Sequence, residues 1–232
     1  MALLTNDPKV LGLAFLGGLI PSLLWLWFWL KEDEHPEPKW LLATVFVMGM
    51  IAVIVVLPIQ KLIQTYVSSH GEQLVLWSGV EEILKYLAVL IVLYKTNNAD
   101  EPIDWPIYLI TAALGFAALE NTLFLIKPLS ISQTTVGLLT GHLRFLGANL
   151  LHTISSGIIG IAIGISYYMG EYKKGWYLFI GFVFAIALHS AFNFFIIRNS
   201  GNDFLEVFAF LWVATIIVML LFEKIRRMSE VN

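Results

Sequence analysis

The sequence predicts an all-α protein, a bundle of about seven transmembrane helices. Three observations carry this expectation. Of 232 residues, 58% are hydrophobic and 13% charged, with a mean hydropathy of +0.79, which is far from the composition of a water-soluble domain. The apolar residues fall in runs of roughly 20, the length that crosses a bilayer as a helix. Those runs are continuous rather than alternating, which disfavours a β-barrel. Cysteine is absent, so disulfides, thiol nucleophiles and Cys-based metal sites are excluded. A net charge of −3, with no basic stripe and no glycine-rich phosphate loop, gives no case for nucleic acid.

The first span is placed at Val10–Leu30. It is expected to be retained rather than cleaved, because only Lys9 precedes it and no small-residue cleavage site stands before the acidic turn Lys31-Glu32-Asp33-Glu34. The others follow at Trp40–Leu62, Leu74–Tyr94, Pro106–Ile126, Leu143–Tyr167, Trp176–Ile197 and Phe204–Phe222. Short polar connections separate them: Lys31–Lys39, Ile63–Gln73, Lys95–Trp105, Lys127–His142, Met169–Gly175 and Arg198–Asp203. With no repeat, low-complexity tract or linker, residues 1–232 read as one integral membrane domain.

Basic residues outside the spans set the orientation. The face carrying the C-terminus has 8: Lys31, Lys39, Lys95, Lys173, Lys174, Lys224, Arg226 and Arg227. The opposite face has 5: Lys9, Lys61, Lys127, Arg144 and Arg198. The positive-inside rule therefore puts the N-terminus outside and the C-terminus in the cytoplasm of a cell (plasma or inner) membrane. Trp25, Trp27, Trp29, Trp40, Trp105 and Trp176 fall near the cytoplasmic interface, as an aromatic belt does.

Against this apolar background the polar residues inside the spans stand out. The third span carries Glu81, Glu82 and Lys85; further spans add Glu120 with Asn121, then His152, then His189 with Asn193. Ionisable groups at membrane depth cost about 2.5–3.5 kcal/mol each on insertion scales, so they persist where they face a polar interior and serve a function. At a rise of about 1.5 Å per residue they lie roughly 9–14 Å below the N-terminal face, in helices of alternating direction. One histidine in a membrane helix is ordinarily interhelical glue, worth about 0.6 kcal/mol. Four helices with costly residues at one level point instead to a shared polar centre.

Spacing within each helix agrees. Lys85 is i+4 from Glu81 and i+3 from Glu82 and can offset either carboxylate. Ser78, Glu82 and Tyr86 form one stripe, and Phe116 shares a face with Glu120. His152, Ser156, Gly160 and Gly164 run at i,i+4, so small residues allow close helix approach below the histidine. His35, His70 and His142 fall in loops or at interfaces and receive no function.

Glu81-Glu82-x-x-Lys85, Phe116-x-x-x-Glu120-Asn121, His152-x-x-x-Ser156-Gly157 and His189-x-x-x-Asn193, in that order, resemble the motifs of the PrsW family of intramembrane proteases. That family is related to the type II CAAX prenyl proteases and their Abi relatives. The resemblance covers about residues 75–197. CAAX proteases proper carry Glu-Glu-x-x-x-Arg and Phe-x-x-x-His, so the PrsW branch fits better. The resemblance implies hydrolysis of a peptide bond in a membrane-anchored protein substrate, site-1 cleavage of an anti-sigma factor being the association of that family.

Amide hydrolysis needs an activated water, a stabilised oxyanion and a proton for the leaving nitrogen. The reading assigns Glu82 as general base with His152 helping to hold the water, His189 and Asn193 as oxyanion donors, and Glu81 as the partner of Lys85. Glu120 holds a proton or orients a histidine, and Asn121 is structural. The expectation is catalysis by glutamate and histidine with no cofactor. Zinc on His152, His189 and Glu82, with a fourth position left for water, is the variant, since no HExxH signals a metal independently. No Gly-x-Gly-Asp or Gly-x-Ser-x-Gly nucleophile elbow occurs. The rival class is a non-enzymatic membrane protein, either an ion- or proton-coupled transporter or a scaffold gripping a partner helix. Transporters ordinarily show matched repeats with broken helices, and neither is evident.

Overall fold

A computed structural model describes residues 7–31, 35–94, 96–130, 134–198 and 204–229, which form seven helices and no strand. They are α1 (Pro8–Leu30), α2 (Lys39–Tyr66), α3 (His70–Leu93), α4 (Asp104–Ser130), α5 (Thr134–Ile165), α6 (Glu171–Arg198) and α7 (Phe204–Ser229). Six are long and apolar enough to cross a bilayer. The seventh, α3, has the length but carries Glu81, Glu82 and Lys85 in its middle. The helix that departs from the expected seven spans is thus the one that supplies most of the buried charge.

Every expected span overlies a helix to within two residues at its ends, but several helices run past them. The largest excess is in α5, which begins at Thr134 rather than Leu143 and so absorbs much of the connection expected at 127–142. Its 32 residues extend about 48 Å, against a hydrocarbon thickness of about 30 Å. A helix that has left the hydrocarbon no longer needs apolar residues, so hydropathy does not mark its end. The acidic turn at 32–34 and the connection at 199–203 lie outside the described residues, as does the side chain of His142.

The bundle is built around α4. Within their spanning windows 78% of α4 and 78% of its neighbour α5 are buried, against 17% for α1 and 28% for α7. Glycines make that central position accessible. A methyl group at Gly49 of α2 would overlap the Ala112 carbonyl, and one at Gly115 of α4 would overlap the Phe46 carbonyl. Gly18 of α1 meets Ala118, and Gly160 of α5 meets Pro106, in the same manner. Small residues let helix backbones touch where lipid offers no hydrophobic drive between helices.

Next in sequence to α2, α3 starts on an N-cap: Ser69 Oγ accepts from the Glu72 backbone N–H. A tight α2–α3 hairpin results, fastened where the Gln73 side chain donates to the Val67 carbonyl at 2.6 Å. Trp27, Trp40 and Trp176 are exposed at the periphery, as a belt requires. Trp29 differs from the expected belt: it is buried and packs on Phe222 of α7 at 5.3 Å between ring centroids.

Candidate active site

Neighbouring residues on a helix point about 100° apart, and α3 uses this to give its two carboxylates different surroundings. Glu82 turns toward α5 and α6 and is fully enclosed. Its Oε1 accepts from Lys85 Nζ and from His189 Nδ1, both at 2.8 Å, and its Oε2 accepts from Ser156 Oγ at 2.6 Å. The expected partnership of Lys85 with Glu81 is therefore corrected. The i,i+3 direction carries the ammonium to Glu82, while Glu81 bonds to α2 and lines a cavity.

Lys85 is also fully buried. Its Nζ lies 2.9 Å from His152 Nδ1 and 4.6 Å from the centre of the Phe116 ring. An ammonium has no lone pair, so the His152 Nδ1 accepts and the ring proton sits on Nε2, 3.0 Å from Glu120 Oε2. His189 takes the opposite tautomer. An ionised carboxylate only accepts, so His189 Nδ1 carries the proton shared with Glu82, and Nε2 is left facing Glu81 Oε2 at 3.5 Å. The two imidazoles meet edge to face, 5.1 Å apart.

Glu81 completes the arrangement. Its Oε1 accepts from Gln60 Nε2 at 2.8 Å, while its buried Oε2 has no hydrogen-bond partner. A buried polar atom in that state costs about 1–3 kcal/mol and calls for an explanation. Glu81, Glu120, His152, His189, Asn193 and Gln60 all line one cavity of about 260 Å³, whose remaining wall is apolar, with Val53, Leu57, Phe116, Phe124 and Phe192 prominent.

Of the residues singled out from sequence, Glu81, Glu120, His152, His189 and Asn193 reach this cavity. Glu82 and Lys85 stand behind it, tying α3 to α5 and α6. Asn121 turns toward α5, its Nδ2 3.4 Å from Asn149 Oδ1, which also accepts from Ser22 at 2.9 Å. The Ser78–Tyr86 stripe is not part of the centre: Ser78 bonds the Leu74 carbonyl and Tyr86 packs on Phe182. Sequence reasoning missed Gln60, which stands beside Lys61 within one turn of the expected end of its span. It also took Ser156 only as a small residue.

The buried set Glu81, His152 and His189 brings one ligand atom from each side chain within 4.8 Å of the others. The set read from sequence had Glu82 in place of Glu81; Glu82 is enclosed by three donors, whereas Glu81 has an unused oxygen. The fit to a metal is good on two further counts. His189 turns Nε2 toward the other two ligand atoms because Glu82 holds Nδ1, the carboxylate–histidine arrangement that orients metal ligands. His152 offers Nε2 once the proton shared with Glu120 is displaced, as metal entry ordinarily does. A second group, Glu37, Asp100 and Asp104, lies at the opposite end. There Asp104 accepts from the Glu101 backbone and Glu37 accepts from Tyr108, so it serves the loops.

A model of the family described as PrsW family intramembrane metalloprotease matches residues 37–222. Relatives called Protease PrsW include one from Oceanobacillus iheyensis, 27% identical over 93% of this chain and 97% of that protein. One from Bacillus subtilis is 27% identical over 84% and 88%, and one from Geobacillus kaustophilus 28% identical over 76% of each. No solved structure matches.

Removing one member of a buried ion pair leaves an uncompensated charge and costs about 3–5 kcal/mol, whereas replacing both is much milder. Lys85→Met alone should therefore destabilise the protein by about that amount, and Lys85→Met with Glu82→Gln should recover most of it. Thermal unfolding in detergent measures both; additive losses would contradict the pairing.

Proposed function

This chain belongs to the PrsW family of intramembrane metalloproteases, and from that membership we propose how its cavity works and on what. Residues 1–232 act as one multi-pass protease unit in a cell membrane. The substrate is a membrane-anchored protein, of the anti-sigma class that the resemblance to the PrsW family implies. The observation that carries the reading is the division of labour on α3: Glu82 accepts from three donors, whereas Glu81 keeps an oxygen with no hydrogen-bond partner, 3.5 Å from His189 Nε2.

That division favours the metal-dependent version, which sequence reasoning had placed second. Two histidines and a carboxylate suit zinc with one position left open. Glu81, His152 and His189 would hold it, and when bound it supplies a Lewis acid that makes water a competent nucleophile near neutral pH. The chain's own residues do the rest. Glu120, at the cavity wall and in reach of His152, takes the proton from the attacking water and returns it to the leaving amine nitrogen. Asn193, one helical turn beyond His189 on the same face, directs its amide N–H groups at the oxygen of the scissile carbonyl. Glu82 and Lys85 fix the two imidazoles in complementary tautomers and do not touch substrate. The apolar walls keep bulk water from the centre.

The 3.0 Å contact of His152 with Glu120 supports a second reading, in which that carboxylate–imidazole pair activates water with no metal. Chelation separates the two. In the metal-dependent reading a chelator abolishes cleavage of a membrane-anchored reporter peptide and zinc restores it; undiminished cleavage after chelation selects the pair. Glu120→Gln should lower turnover by about 10²–10⁴-fold in either case, and wild-type turnover in that variant would remove Glu120 from the mechanism.

The cavity lies in the leaflet nearest the α2–α3 hairpin, on the face opposite the more basic one. With 8 basic residues against 5, this face is extracytoplasmic, and the scissile bond lies in or just outside the outer leaflet. A phosphatase reporter on the C-terminus should be inactive, because that terminus is cytoplasmic; an active fusion would invert the orientation.

A further inference from the structure

Gln60 belongs to none of the sequence motifs, yet it holds a carboxylate that faces the centre with an oxygen lacking a hydrogen-bond partner. Its Nε2 lies 2.8 Å from Glu81 Oε1; because a carboxylate only accepts, the amide nitrogen rather than the amide oxygen must point there. The backbone of Gln60 is fixed as well. Its carbonyl accepts from Trp77 Nε1 at 3.2 Å, and Trp77 and Glu81 are i,i+4 on one face of α3. Gln60 thus grips two successive turns of α3, once through its backbone and once through its side chain, from a helix that contributes no other polar group to the cavity wall.

We propose that Gln60 is a positioning residue that keeps Glu81 a single-oxygen ligand. The inference rests on the metal-dependent reading above. A carboxylate facing a metal can offer one oxygen or two. With Oε1 committed to Gln60, only Oε2 is available toward His152 and His189. A catalytic zinc needs a position left for water or substrate, and a second oxygen from Glu81 would take it. Partners of this kind, which bond to a ligand rather than to the metal, typically change metal affinity or activity by 10–100-fold on mutation.

Gln60→Met preserves length and shape and removes the donor; Gln60→Ala serves if the first does not fold. Three quantities are read on the full chain in detergent: zinc affinity by calorimetry, the visible absorption of the cobalt(II)-loaded protein, and the melting temperature without metal. The wild type should bind one zinc and give the intense cobalt spectrum of a four-coordinate site. The variant should lose some metal-free melting temperature, because a buried carboxylate oxygen loses its donor, and should beyond that shift zinc affinity by about 10-fold or more and show a weaker cobalt spectrum as coordination number rises. A variant with unchanged affinity and spectrum overturns the role of Gln60 while the metal reading stands. A wild type that binds no stoichiometric zinc overturns both.

Discussion

Enclosing Glu82 and Lys85 away from water costs several kcal/mol per ion before any partner is met, and the geometry around the cavity is arranged by the way that cost is offset. Glu82 collects donors from Lys85 on its own helix, Ser156 on α5 and His189 on α6. Lys85 reaches in turn to His152 on α5. Three helices are thereby locked in rotation about one carboxylate, and the tautomers of both histidines follow from it. A substitution there would disturb ring orientation on two helices at once.

This constraint also explains why α4 occupies the centre. The polar cluster has to be closed off from lipid, and α4 does so by packing backbone to backbone with α1, α2 and α5 through glycines. Phe116 on α4 places its ring beneath Lys85 and beside His152, so the hub contributes an apolar floor to the charged layer. Glu120, one turn further on, emerges at the cavity.

Much of this was legible in the sequence, for a physical reason: charge at membrane depth is so costly that its presence advertises a site. Glu81, Glu120, His152 and His189 were found that way, with Asn193 following from its i,i+4 spacing to His189, and helical rise put the ionisable groups at one level. What could not be read was rotation. Glu81 and Glu82 are adjacent and both within reach of Lys85 by spacing alone; which of them pairs with it depends on how α3 is turned by Ser156 and His189, contacts 74 and 107 residues away in sequence. Gln60 escaped because an uncharged amide near the end of a span is inexpensive there and carries no such signal. The early start of α5 escaped because hydropathy reports the bilayer boundary, not the helix end.

In the proposed reacting centre Glu81 acts with His152 and His189, and Glu82 stands behind it. Zinc K-edge X-ray absorption of protein purified without chelator tests this most directly when wild type is set beside Glu81→Gln. The account predicts about one zinc per chain, with two imidazole nitrogens and oxygen ligands near about 2.0–2.2 Å, and its loss in Glu81→Gln. A wild type that cleaves its substrate with no bound metal, or a first shell unaltered by Glu81→Gln, would contradict it.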